Sequence, residues 1–282
     1  MNLLAAAFCV FLFSVTVPMT RIAALEMPAL FVMALRVAGA GLLCAGVILW
    51  QRWVPPRRIW PLLMLTSLTA VLIFSLATAM ALREVPGSHG ALGLAALPAL
   101  TAAYSSLRDR VNPGPVFWAF ALMGTMLSSA FFVVQAADGL VAGDLWLAVA
   151  VLASMIGYVE GARLSREFGG VRIMAWSILL SVPPAVLPGL WLWSSSDLPG
   201  FSGDAWLAVA YLAFISQSSA MFLWFRVLAK GPLEKVALVQ LLQPFLTLLG
   251  AVLLLDERVG WLAWATAAGV VTCIFGAQRS KA

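Results

Sequence analysis

The sequence predicts an all-α integral membrane protein of ten transmembrane helices, arranged as two inverted-topology five-helix repeats. Three observations carry this prediction. Hydrophobic residues make up 63% of the chain and charged residues 10%, with a mean hydropathy of +1.00, a composition suited to hydrocarbon. The apolar residues come in runs of about 20, the length that crosses a core about 30 Å thick at ~1.5 Å per residue. A stretch of the first half then recurs, prolines included, in the second.

Charges and turn residues divide the chain into spans at 2–20, 27–50, 59–82, 89–106, 115–135, 144–163, 171–193, 205–228, 235–255 and 260–277. The first span opens without the basic segment of a cleaved signal peptide and is expected to be retained. The second stops at "QRWVPPRR", whose prolines cannot continue a helix. The third runs to the charged "REVPGSHG", and the fourth starts there at His89 and reaches "RDRVNPG". The fifth closes on "AADGLVAG", the sixth on "SREFGGV" and the seventh on "SSSDLPGFSGD". "AKGPLEK" separates the eighth from the ninth, and "DERVG" the ninth from the tenth. None of these connections holds a soluble domain, so the protein's work is expected within the membrane.

Charge sets the orientation. With a cytoplasmic N-terminus, the inner loops and tail hold thirteen basic residues and the outer loops only Arg21, Arg83 and Arg258, a positive-inside bias that puts both termini in the cytoplasm. The net charge of +5 is scattered singly, so it reads as topology, with no nucleic-acid partner expected. Cys9, Cys44 and Cys273 lie inside apolar runs without disulfide or metal spacing.

"LREVPGSHGALGLAALPALT" (82–101) aligns with "LAKGPLEKVALVQLLQPFLT" (228–247) at an offset of 146, with seven identities in twenty positions. Pro86/Pro232 and Pro98/Pro244 are the telling matches, because proline is not favoured by apolar composition alone. Five spans separate the copies, so the second enters the membrane from the opposite side. This is the plan of many secondary transporters, with halves at 1–139 and 140–282.

These segments resemble the drug/metabolite transporter superfamily, specifically its EamA-type members. The resemblance rests on the 5+5 plan, on "LREVPGSHGALGLAALPALTAAYSSLRDRV" and "LAKGPLEKVALVQLLQPFLTLLGAVLLLDERVG" as the fourth and ninth helices, and on Arg36 in "LFVMALRVAGAGLL" of the second. The first helix, "FCVFLFSVTVPMT", departs from the pattern by lacking the Trp-Gly pair common there. The resemblance implies export or exchange of small metabolites through a central cavity lined by both halves.

Catalytic signatures are absent: one histidine, no HExxH, no GxSxG and no phosphate-cradling glycine loop. No catalytic residue, metal or cofactor is expected. Arg36 lies about 13 Å inside its span at ~1.5 Å per residue, a placement that costs on the order of 3 kcal/mol unless compensated. It either ties to carbonyls such as that of Ser14, freed by Pro18, or faces the cavity and attracts a substrate carboxylate. Glu160, the one acid within an apolar run, reads as an interfacial partner of Arg163 or as a protonatable coupling residue. Gln240 and Gln243 share a face just before Pro244, and Gln217 is a third amide; they serve as interhelical contacts or meet substrate. Eight tryptophans form an interfacial belt, while Trp176, Tyr158, Tyr211, Phe222 and Trp224 lie deeper and either pack the core or line an apolar cavity. His89 aligns with Lys235 in the repeat, as an interface residue or as a cation at a gate.

Together these features predict a secondary transporter of a bacterial-type inner membrane. It would bind a small-molecule substrate, plausibly an amino acid or other partly apolar solute, at Arg36, His89, Tyr158, Trp176, Gln217, Phe222, Gln240 and Gln243. Its partners would be membrane lipid and at most a second copy, as monomer or homodimer. The rival reading is a non-transporting scaffold or lipid-interacting subunit.

Overall fold

A computed structural model describes residues 3–110, 114–135, 141–195, 200–230, 236–255 and 260–279. Among these residues there is no strand. Followed through their 3-10 and π stretches, the helices form ten rods. The first five are α1 (Leu4–Glu26), α2 (Ala29–Gln51), α3 (Arg57–Glu84), α4 (87–109) and α5 (Pro115–Gln135). The second five are α6 (Ala142–Phe168), α7 (Gly170–Ser195), α8 (Gly203–Lys230), α9 (236–255) and α10 (Trp261–Arg279). Six of them, α1, α2, α3, α6, α7 and α8, are long and apolar enough to cross a membrane. Leucines and tryptophans such as Leu42, Leu49, Trp50, Trp191 and Trp261 stand exposed on the outside, as a hydrocarbon solvent requires and water would penalise.

The helices run further than the apolar runs. α1 continues past residue 20 to Glu26 because Arg21, read from the sequence as part of a loop, donates to the carbonyls of Leu82 and Val85 at 2.6 and 2.9 Å. α6 carries Arg163, Arg166 and Glu167 as its last turns, and only Gly169, at φ 90°, separates it from α7. That left-handed backbone is why a glycine stands there.

Hydroxyls and prolines disturb four rods at mid-length. α3 has a π stretch at Ser67–Ile73 and α8 one at Tyr211–Ala220. In α8, Ser218 and Ser219 donate to the carbonyls of Ala213 and Phe214, five residues back, at 2.7 and 2.8 Å. α4 and α9 tighten to 3-10 geometry at Leu94–Ala96 and Leu238–Leu242. Each tightening meets the turn that ends in Pro98 or Pro244, where the missing N–H releases the carbonyl four residues earlier.

α2 lies along α7, α3 along α6, and α5 along α10. Small residues permit the closest of these approaches: a Cβ on Gly157 of α6 would fall 2.6 Å from the Cβ of Ala70 and 2.7 Å from its backbone N, in the π stretch of α3. Polar contacts fasten both ends of the bundle. At the arginine-poor end, Glu26 accepts from the Ser202 N–H and hydroxyl at 2.8 and 2.6 Å, and His89 meets Asp144 at 2.7 Å. At the arginine-rich end, Arg58 pairs with Glu167, Arg172 donates to Gln51 at 3.1 Å, and the Trp176 indole donates to the Trp53 carbonyl at 3.0 Å.

Candidate functional site: a central polar cavity

Half-way along the bundle, α1, α2, α3, α4, α6, α8 and α9 leave a cavity between them. Its apolar wall includes Phe13, Phe74, Leu94, Leu97 and Met221. Its polar wall is Thr16, Thr20, Arg36, Thr78, Tyr158, Ser216, Gln240, Gln243 and Thr247. The volume open to the centre of a water molecule is about 30 Å³, enough for two or three such spheres and far below the ~300 Å³ of a pocket that holds a metabolite. The cavity is therefore small.

The irregular backbone of α8 and α9 delivers the polar groups. The π stretch turns Ser216 toward the interior, where its Oγ lies 2.9 Å from Thr16 Oγ1 and accepts from Arg36 at 3.4 Å. The neighbouring Gln217, fully buried, accepts from Ser75 at 3.4 Å. On α9, the 3-10 turn before Pro244 carries Gln240, which lines the cavity together with Tyr158. Gln243 donates to the carbonyl of Phe13 at 3.5 Å, and Tyr211 to that of Leu12 at 2.7 Å. The kinked middle of α1 thus hands its carbonyls to side chains of α8 and α9, whereas Arg36 takes a hydroxyl and no such carbonyl.

Arg36 dominates the electrostatics. It is 1% exposed, its guanidinium carbon sits 5.7 Å from the centre of the Phe74 ring, and its Nε has no hydrogen-bond partner. Gln240 Oε1 and Thr247 Oγ1 are likewise buried without partners. A buried polar atom left unpaired costs about 1–3 kcal/mol, and a charged group more. Among the described residues, no carboxylate lines the cavity. The two buried acids among them, Asp144 and Glu160, are occupied elsewhere, on His89 and Arg108.

The structure thus brings Arg36, Tyr158, Gln240 and Gln243 together on one cavity. Gln217 stands beside it on α8, and Phe222 packs into the adjoining apolar cluster. Trp176 lies at the arginine-rich end, its ring centre 6.4 Å from that of Trp60. His89 is held in its pair with Asp144, away from the lining; Lys235, its partner in the sequence repeat, falls outside the described residues. Glu160 forms the expected i,i+3 ion pair with Arg163 and has closer partners on α4. Its Oε1 accepts from Arg108 at 2.8 Å and from Tyr104 at 3.1 Å, while Arg163 stands 4.0 Å from Oε2 and turns toward Asp109 at 3.6 Å. The long Arg163 side chain extends past Glu160 to the half-buried Asp109 near the rim, leaving Arg108 of α4 as the nearest cation to the buried acid. Thr16, Thr20, Thr78, Ser216 and Thr247 had no signal in the sequence, because hydroxyls occur on every face of these helices.

Comparison with known proteins agrees with this architecture. The model of the EamA-like transporter family matches residues 141–277. A Bacillus subtilis (strain 168) protein, "Uncharacterized transporter YdeK", is 34% identical over 271 residues, covering 96% of this chain and 94% of its own. A solved crystal structure shares the fold at a TM-score of 0.71 over 97% of both chains, with 20% sequence identity. An integral membrane chain with this cavity, this family match and this relative is a transporter, and it belongs to the EamA-type branch of the drug/metabolite transporter superfamily.

Proposed function

We propose that the protein is a secondary transporter that exports or exchanges small, partly apolar metabolites by alternating access. Ten membrane-crossing helices would form two inverted repeats, 1–139 and 140–282, with both termini in the cytoplasm of a bacterial-type cell. The observation that carries the reading is a small polar cavity built from four helices of the first half and three of the second.

Two further features support it. The backbone irregularities come in matched ranks: π stretches in the third helix of each half and 3-10 turns in the fourth. Such stretches are where a helix bends at low cost, and a pair related by the repeat lets the two halves rock symmetrically. α4 and α6 also belong to different halves and are fastened at both ends, by His89–Asp144 at one and Arg108–Glu160 at the other. Opening toward either side requires one tie to release while the other holds.

In proteoliposomes loaded with a metabolite mixture, saturable efflux of any component is expected. Joining the outer tie, with His89→Cys and Asp144→Cys linked by a short bis-methanethiosulfonate reagent, should abolish flux, and reductive cleavage of the two disulfides should restore it. Full flux in the linked protein would rule out rocking about this pair. No saturable flux from a broad mixture would favour the scaffold reading.

A further inference from the structure

The transporter reading leaves the substrate's chemistry open, and the charge pattern of the cavity narrows it. We propose that Arg36 makes this cavity a receptor for carboxylates: the transported solute carries a carboxylate on a small apolar body, and solutes whose only charge is positive are excluded. The inference rests on the transporter reading and deepens it.

An arginine cannot shed its proton inside a protein, so Arg36 remains a full positive charge in a low-dielectric interior. It donates one long hydrogen bond to the Ser216 hydroxyl and lies over the face of Phe74, with Tyr158 on the same cavity wall. Among the described residues, no carboxylate lies within ion-pair distance of it; Asp144 and Glu160 are paired elsewhere, with His89 and Arg108. A buried charge without a counter-ion is the costly half of an ion pair, and Arg36, which lines the cavity, keeps a buried Nε without a partner. A planar carboxylate matches that fork and completes the pair. Gln240 Oε1 and Thr247 Oγ1, buried and unpartnered on the facing helix, are placed to receive a second polar group of the same solute, a hydroxyl or an ammonium. Phe13, Phe74, Leu94, Leu97 and Met221 surround the remainder. A cation brings like charge to Arg36 and finds no carboxylate to offset it.

Three probes share one ring and differ only in charge: phenylacetate, phenylalanine and phenethylamine. They are added to a broad mixture of organic acids, amino acids and amines inside proteoliposomes of the full chain. Every component that leaves saturably is expected to bear a carboxylate, and phenethylamine is expected to stay behind. Arg36→Gln should raise the half-saturating concentration of the transported acids about 30-fold or more, as loss of one member of a desolvated charge pair does. Arg36→Lys should keep the preference for acids over the amine. Because the Gln variant removes an uncompensated charge, it should melt no lower than the parent protein.

Saturable export of any solute lacking a carboxylate overturns the assignment and leaves the transporter standing. So does an Arg36→Gln protein that moves acids as the parent does, or one that melts far lower, which marks the arginine as structural. Absence of saturable flux for the entire mixture removes the transporter reading and the carboxylate assignment together.

Discussion

Glu160 and Arg108 meet at 2.8 Å, yet the side chains stand in unequal surroundings: the glutamate is 2% exposed and the arginine 45%. Removing the acid frees a cation that water can reach, whereas removing the cation strands a buried carboxylate. Glu160→Gln, which keeps an acceptor for Arg108 and Tyr104, should destabilise by about 1 kcal/mol, or a melting shift of roughly 2–4 °C. Arg108→Ala should lower the melting temperature further; a smaller shift than that of Glu160→Gln would show that Tyr104 and Arg163 already neutralise the acid. The sequence made some of this chemistry legible. An arginine or glutamine in an apolar run is rare enough to be noticed, and Arg36, Gln240 and Gln243 do line the cavity. Partners far along the chain left no trace, as with His89 and Asp144, 55 residues apart. Nor could hydroxyls be sorted: Thr20 and Thr78 bond back to their own helices and are at home wherever they face.

Helix positions were legible to within a few residues, and helix ends were not. Charged residues read as loops, such as Arg21, Arg163 and Arg166, continue their helices because long side chains carry the charge to the rim or to a neighbour's carbonyl. The π stretches were also hidden; in α8, hydroxyls capture carbonyls five residues back. Close packing between rods supplies a sharp contrast. Gly157→Val drives a side chain onto the backbone of Ala70, and should cost at least the roughly 1–3 kcal/mol of an overpacked core, seen as poor recovery of folded protein on size exclusion. Gly46, exposed mid-helix on α2, has open space where a Cβ would stand. Gly46→Ala should therefore hold or raise stability, by up to about 1 kcal/mol from backbone entropy.

For the whole molecule, the recurrence of Pro98 in Pro244 was the strongest sequence sign of the proposed repeat, and a 3-10 turn precedes each of these prolines. What composition could not convey is the size of the space between the helices. That space, about 30 Å³ to a water molecule's centre, bears on a different property: electrical insulation. Protons cross membranes along unbroken files of water, and a cavity with room for two or three molecules cannot supply one across a core about 30 Å thick. Liposomes bearing the protein should thus hold a pH gradient almost as long as bare ones, followed with an entrapped pH-sensitive dye. Met221→Ala, which trims a fully buried side chain from the wall, should shorten that time. In the proposed transporter, so small a cavity would also keep an ion gradient from draining between transport cycles.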